Sequence, residues 1–301
     1  MAPLSGVTDS AFRRICKGFG ADIVYSELCS STALAYQPEA TLRILRFHES
    51  ERPYVVQLFG NNPRHFEVAA QLVSREIKPD GIDINFGCPI PKVFKHGAGA
   101  ALMTNLPLAK EVIRSVIDST GLPVSIKTRT SVNRVDLLTF LDYIGDLDIK
   151  AIMVHGRSYA QRFCGPNDIE TTRAVRRRFN WTVLANGGVN TAAQGHELLR
   201  ETGADGLGLA RGALGNPWIF QHLKAASSGD GGGKPPREEV FRTAMEHARL
   251  ADDLKGERGI IQMRKHLCWY LQRVPGTKKL KQMAVTIKNL QDLADLFAQA
   301  G

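Results

Sequence analysis

Short, β-rich apolar segments alternate with longer stretches of helical period to about residue 225, and this alternation constrains the fold more than any other feature. Strands are predicted at 2–4, 22–25, 54–58, 81–84, 123–127, 151–154, 182–185 and 206–209. Helices are predicted near 9–19, 39–47, 63–76, 105–119, 134–145, 168–179, 191–202 and 216–224. In the first helix Phe12, Ile15, Cys16 and Phe19 recur at intervals of three and four, and in 105–119 Pro107 falls in the first turn. Alternation of this size matches a (β/α)8 barrel, and an open doubly wound sheet shares the local pattern. The placement of polar residues must decide between them.

Beyond this region, residues 225–236 (AASSGDGGGKPP) are small, polar and rich in Gly and Pro, which predicts a linker. Residues 237–255, 258–273 and 278–300 carry helical patterning without a strand signal. The predicted organisation is therefore a barrel over 1–224, a linker over 225–236 and a small helical domain over 237–301. The 301 residues suffice for both parts, and 43% hydrophobic with 23% charged residues excludes a disordered or collagen-like chain. There is no apolar run of about 18 residues and no basic start followed by an apolar stretch and a cleavage site. The five cysteines are scattered and form no Cys-x-x-Cys pair, so neither a disulfide framework nor a zinc site is indicated. No histidine has a spacing that argues for metal. A soluble protein in a reducing cytoplasm, without membrane or metal, is expected. A net charge of +9 favours a polyanionic partner, and the stretch from Arg264 to Lys288 holds seven Lys or Arg residues and no acid.

In a barrel all strand C-termini open on one face, so chemistry is expected just after each strand. Polar residues recur there in phase: Pro3-Leu4-Ser5-Gly6, Gln57, Asn85 through Pro89, Lys127 with Arg129, His155-Gly156-Arg157, Asn186-Gly187-Gly188 and Ala210-Arg211-Gly212. The last two follow strands seven and eight, where barrels frequently hold phosphate. Gly206-x-Gly208 lacks the third glycine and the later acid of a dinucleotide fingerprint, so a Rossmann reading is rejected. Lys127 at the end of a buried strand calls for an anionic partner, and Gln57 offers both donor and acceptor to an amide-like edge. Cys88 lies in a Gly-Cys-Pro turn followed by Lys92, Lys95, His96 and a Gly97-Ala98-Gly99 stretch, the composition of a basic loop over the mouth. Its thiol could give a proton to carbon or act as a nucleophile.

The ordered set Ala2-Pro3-Leu4-Ser5-Gly6-Val7-Thr8-Asp9, Asn85-x-Gly87-Cys88-Pro89, Lys127-Thr128-Arg129, His155-Gly156-Arg157, Asn186-Gly187-Gly188 and Ala210-Arg211-Gly212 resembles the tRNA-dihydrouridine synthases. The similarity extends into the tail, through Arg264-Lys265-His266 and Trp269-Tyr270-Leu271. It implies a barrel binding flavin mononucleotide (FMN), reduced by NADPH, that passes hydride to C6 of a tRNA uridine while a loop cysteine, here Cys88, protonates C5. Carried over by matching position, Pro3, Leu4 and Ser5 line the flavin ring and Gln57, Lys127 and His155 its polar edge. Asn186, Gly187, Gly188, Ala210 and Arg211 take the phosphate. Asn85 and Arg157 approach the substrate base, with Lys92, Arg264 and Lys265 on the RNA. A monomer is implied. Leu4-Ser5 stands in place of the commoner Met-Ala, Gly188 in place of a commoner Asp, and Met1 directly precedes the Ala-Pro motif. Two other readings are a flavin barrel acting on a free pyrimidine or another small unsaturated molecule, and an idle RNA-binding flavoprotein. The basic tail argues against the first and Cys88 against the second.

Overall fold

The computed structural model describes residues 1–225 and 233–299. The strands are β1 (Val24–Tyr25), β2 (Cys29–Ser30), β3 (Tyr54–Phe59), β4 (Gly81–Asn85), β5 (Val124–Arg129), β6 (Ser131–Val132), β7 (Val135–Asp136), β8 (Ala151–His155), β9 (Thr182–Asn186) and β10 (Gly206–Gly208). Around them run α1 (Ser10–Gly18), α2 (Ser31–Tyr36), α3 (Pro38–Leu45), α4 (Pro63–Glu76), α5 (Pro91–Lys95), α6 (Leu106–Ser119), α7 (Leu137–Ile144), α8 (Ile169–Arg178), α9 (Ala192–Thr202) and α10 (Trp218–Ala225). The main sheet is parallel throughout, ordered β1-β3-β4-β5-β8-β9-β10, with β2 prolonging the pairing of β1 along β3. Sequential parallel strands with helices outside form the expected (β/α)8-type architecture.

The strand expected at 2–4 does not form. One backbone bond on each side replaces it: Ala2 N donates to Leu209 O (2.7 Å) and the Met1 amine to Ile23 O (2.7 Å). Pro3 has no N–H with which to continue a ladder, and Val7 and Thr8 donate back to Leu4 O, turning the chain into α1. The gap between β10 and β1 is thus spanned by two residues. The helix expected over 134–145 begins later because a short β6–β7 hairpin takes the preceding residues; Asn133 supplies its left-handed turn and Asp136 caps α7 by accepting from Thr139 N.

The tail folds as α11 (Arg237–Lys255), α12 (Glu257–Leu271), α13 (Lys278–Ala284) and α14 (Leu290–Ala298). The single helix expected over 278–300 is broken, because Asn289 adopts an extended conformation and caps α14 by accepting from Asp292 N (2.8 Å). Most of the expected linker, 226–232, lies outside the described residues. The tail has its own core of Val240, Ala244, Ile260, Met263, Leu267 and Tyr270, which grows onto Ala11 of α1 and Trp218 of α10. Trp218 Nε1 donates to Glu239 Oε1 (2.7 Å), and Lys255 pairs with Asp9 (2.6 Å). No helix among the described residues is long and apolar enough to cross a membrane.

Beside the start of α1, Arg13 and Glu51 form a fully buried ion pair (2.5 Å). Arg13 also donates to Thr8 O and Arg46 O, while Glu51 accepts from Ser10 Oγ and His48 N. With its charges matched by hydrogen bonds the pair is tolerable; with one partner removed it is not. Glu51→Ala is expected to lower the unfolding free energy by about 3–5 kcal/mol, as measured by denaturant titration.

Candidate active site

A cavity of about 280 Å³ opens at the C-terminal ends of the strands. Its lining includes Pro3, Leu4, Ser5, Gln57, Asn85, Cys88, Lys127, His155, Asn186, Gly187, Gly188, Ala210 and Arg211, so thirteen residues singled out from the sequence meet at one mouth. Parallel register explains why. Gln57 pairs with Asp83 and Asp83 with Ser125 across β3, β4 and β5, and one step higher Asn85 pairs with Lys127. Successive inward layers therefore carry the polar groups to the rim.

On one side, Asn85 Oδ1 accepts from the backbone N–H of Gly87 (3.0 Å) and Cys88 (2.9 Å) and so shapes the cysteine turn. Asn85 Nδ2 donates to Gln57 Oε1 (3.0 Å), and Gln57 Nε2 to Asp83 Oδ2 (2.7 Å). Burial raises the Cys88 thiol above its ordinary value, against the Ile90 backbone N–H and the charges of Arg129 and Lys127. At neutral pH the group is a thiol with a proton to give rather than a thiolate.

In the middle, Lys127 Nζ donates to Asn186 Oδ1 (3.1 Å). Burial and the neighbouring Arg129 bring it down to about 8, with Asp83 opposing. His155 is held neutral, first by burial and then by the positive charges of Lys127, Arg129, Arg157 and Arg211. It can donate or accept a hydrogen bond, but it is a poor proton carrier here.

At the far end Gly187 (φ +125°) and Gly188 (φ +73°) turn the chain with backbone exposed to the cavity, and Arg211 lies exposed beside them. Arg211 packs over the Phe163 ring (4.9 Å) and donates to Phe163 O (3.3 Å).

Four candidates from the sequence lie elsewhere. Arg157 is buried behind the glycine turn, with Nε donating to Gly165 O (2.7 Å), and does not line the cavity. Lys92 is exposed on α5 and does not line the cavity. Arg264 donates twice to Ile287 O within the tail. Lys265 reaches Gly6 O, while Gly6 N donates to Glu27 Oε1, so the turn after Pro3-Leu4-Ser5 is gripped from both sides. Conversely, Arg129 and Phe163 line the cavity without having been given a role. Arg129 is buried and ties Gly87 O (2.8 Å) to Ser158 O and Arg162 O; its place at a strand end was the available signal. Nothing in the loop sequence around Phe163 marked it. No cluster of metal-binding side chains occurs among the described residues.

The model of the family described as "Dihydrouridine synthase (Dus)" matches residues 1–300. The chain belongs to the dihydrouridine synthase family. Relatives in the family include a protein named tRNA-dihydrouridine synthase B from Pseudomonas putida, 33% identical over 97% of this chain and 87% of its own length. A probable tRNA-dihydrouridine synthase from Rhizobium leguminosarum is 35% identical over 93% of this chain and 88% of its own. Among solved structures, TcOYE with pHBA superposes with a TM-score of 0.57 at 12% identity, covering 82% of this chain and 93% of that one, a likeness of fold alone. Dihydrouridine is uridine with two hydrogens added to a carbon–carbon double bond, so the chain is an oxidoreductase by family.

The glycine turn offers a direct check of the cavity's geometry. A Cβ on Gly187 would lie 2.7 Å from Asn167 Oδ1 and 2.9 Å from His155 Cδ2, at a φ that L side chains rarely adopt. Gly187→Ala is expected to cost about 1–3 kcal/mol of stability by denaturant titration.

Proposed function

We propose that this chain reduces the C5=C6 bond of uridine in tRNA, using FMN and NADPH, with Cys88 as the proton donor. The observation that carries the reading is one cavity holding a protonated buried thiol at one end, a glycine turn with Arg211 at the other and Lys127 between them. That donor set fits a phosphorylated flavin: backbone and Arg211 for the phosphate, Lys127 as a countercharge to an electron-rich ring, and Pro3, Leu4 and Ser5 against its face. When bound, FMN reduced by NADPH supplies hydride to C6 of the uracil ring. The chain supplies the rest. Cys88 Sγ gives its proton to C5, so that uridine, NADPH and one proton become dihydrouridine and NADP+. Asn85 shapes the cysteine turn, and Arg129 holds the same turn to the loop carrying Phe163. His155, kept neutral, offers a hydrogen bond without competing for the proton.

The names of the relatives bring tRNA into the proposal, and the basic tail supports it. With Arg264 and Lys265 engaged internally, the exposed Lys278, Lys279 and Lys288 become the phosphate contacts. The division into a catalytic barrel over 1–224 and a tRNA-binding helical part over 237–301, in a cytoplasmic monomer, belongs to the same proposal.

Two experiments test it. Cys88→Ala is expected to keep a bound yellow flavin and its bleaching by NADPH, while tRNA isolated after incubation contains no new dihydrouridine; normal product formation would remove Cys88 from its role. Replacing Lys278, Lys279 and Lys288 together by Glu is expected to weaken tRNA binding about tenfold or more and to flatten its salt dependence, with flavin content unchanged. Unaltered tRNA affinity would place the RNA on another face.

A further inference from the structure

Asp83 is the one carboxylate on the inner face of β4, fully buried beneath the cavity and outside its lining. Its two oxygens are both acceptors: Oδ1 takes the Ser125 hydroxyl (2.6 Å) and Oδ2 the Gln57 amide N–H (2.7 Å). From there every bond runs one way. Gln57 must turn its nitrogen down to Asp83, which leaves its oxygen facing Asn85 Nδ2 (3.0 Å). Asn85 must then turn its own oxygen up, to the N–H groups of Gly87 and Cys88.

An amide side chain alone has no preferred end, since its oxygen and nitrogen occupy nearly the same space. An ionised carboxylate accepts only, so it decides which way the first amide points, and the first decides the second. Reversing the chain would set Asn85 Nδ2 against two backbone N–H groups, donor against donor, and the cysteine turn would have to open. Cys88 itself is 8% exposed, so an opened turn would release a thiol that is now enclosed.

We propose that Asp83 is a positioning residue whose buried carboxylate sets the direction of this hydrogen-bond chain and so holds the Cys88 turn closed. The proposal rests on the assignment of Cys88 as the proton donor for its catalytic meaning. Turnover reads that assignment, whereas the state of the turn is read by thiol alkylation, so the two can fail separately.

The test is the rate of Cys88 alkylation by iodoacetamide, taken as a ratio to that of Cys164, which is exposed in the same molecule. Peptide mapping by mass spectrometry resolves the two sites. Asp83→Asn combined with Ser125→Ala removes both the anion and the hydroxyl that could turn to accept from the new amide. This variant is expected to raise the ratio about fivefold or more and to raise it no further in an Asn85→Ala background, where the chain is already cut. An unchanged ratio, or effects that multiply with Asn85→Ala, overturns the proposal.

Should that variant not fold, the unaltered protein provides a second measurement. Burial pushes Asp83 up to about 6, against the hydrogen bonds from Ser125 and Gln57 and the charge of Lys127. The titratable groups facing it are Tyr25 from β1, which burial raises, and Lys127 from β5, at about 8; both keep their protons below pH 7. As the pH falls through about 6 the carboxylate gains a proton and its one-way bias weakens. The alkylation ratio is then expected to rise, and a ratio that stays level from pH 7 to pH 5 overturns the proposal.

Discussion

Parallel pairing across β3, β4 and β5 sets the height of each polar side chain in the barrel, and the site depends on that alignment. Gln57, Asp83 and Ser125 share one register step, and Asn85 and Lys127 share the step two residues above. A slip of one residue in β4 would turn Asp83 and Asn85 outward and bring Ile82 and Ile84 in. The apolar outward face of β4, pressed against the helices, is what forbids the slip. Hydrophobic burial on the outside of the sheet thereby fixes hydrogen-bond geometry on its inside.

The second organising term is charge. Lys127, Arg129, Arg157 and Arg211 all act on His155, and Asp83 is the carboxylate opposing Lys127 from beneath. An interior with this imbalance favours any ligand that brings negative charge. Two of these cations, Arg129 and Lys127, pull the Cys88 thiol down while burial pushes it up, and burial prevails. A thiol that stays protonated beside cations is suited to donating to carbon, whereas a nucleophilic cysteine would call for less burial or a base. The only imidazole lining the cavity among the described residues is His155, which burial and then the cations keep from holding a proton.

Much of this was legible in the sequence, because strand ends in a parallel barrel are marked by apolar runs that stop abruptly at Asn85, Lys127, His155 and Asn186. What the sequence left unread has identifiable reasons. Strand 2–4 read as β-rich, but Pro3 cannot donate to a ladder and Leu4 O accepts the returning turn. Arg264 and Lys265 belonged to an acid-free run, and charge alone does not say whether a cation meets solvent or a carbonyl; here Ile287 O and Gly6 O take them. Arg157 follows His155 by two residues, yet the loop folds it behind the glycine turn, where only the packing around Asn167 and Gly165 decides its direction. Asp83 was visible as a lone acid within the apolar run 81–84. Its partners lie 26 and 42 residues away along the chain, so only the register could supply its meaning.

The tail is less separable than its composition implies. A linker-like stretch precedes it, but its core is completed by Ala11 and Trp218 of the barrel, and Lys255 pairs with Asp9 at the N-cap of α1. Lys265 then grips Gly6, whose peptide is also held by Glu27, immediately after the residues that form one wall of the cavity. Under the proposed function, this places the surface that binds RNA and the wall that meets the flavin ring on one mechanical path, through α12 and the Gly6 peptide. Removing the tail would uncover Trp218 and release Gly6 together, so loss of flavin and loss of RNA binding would be confounded in any truncation. Substitutions confined to the exposed Lys278, Lys279 and Lys288 separate them, because Lys265 is the lysine that holds Gly6 and apolar side chains form the shared core.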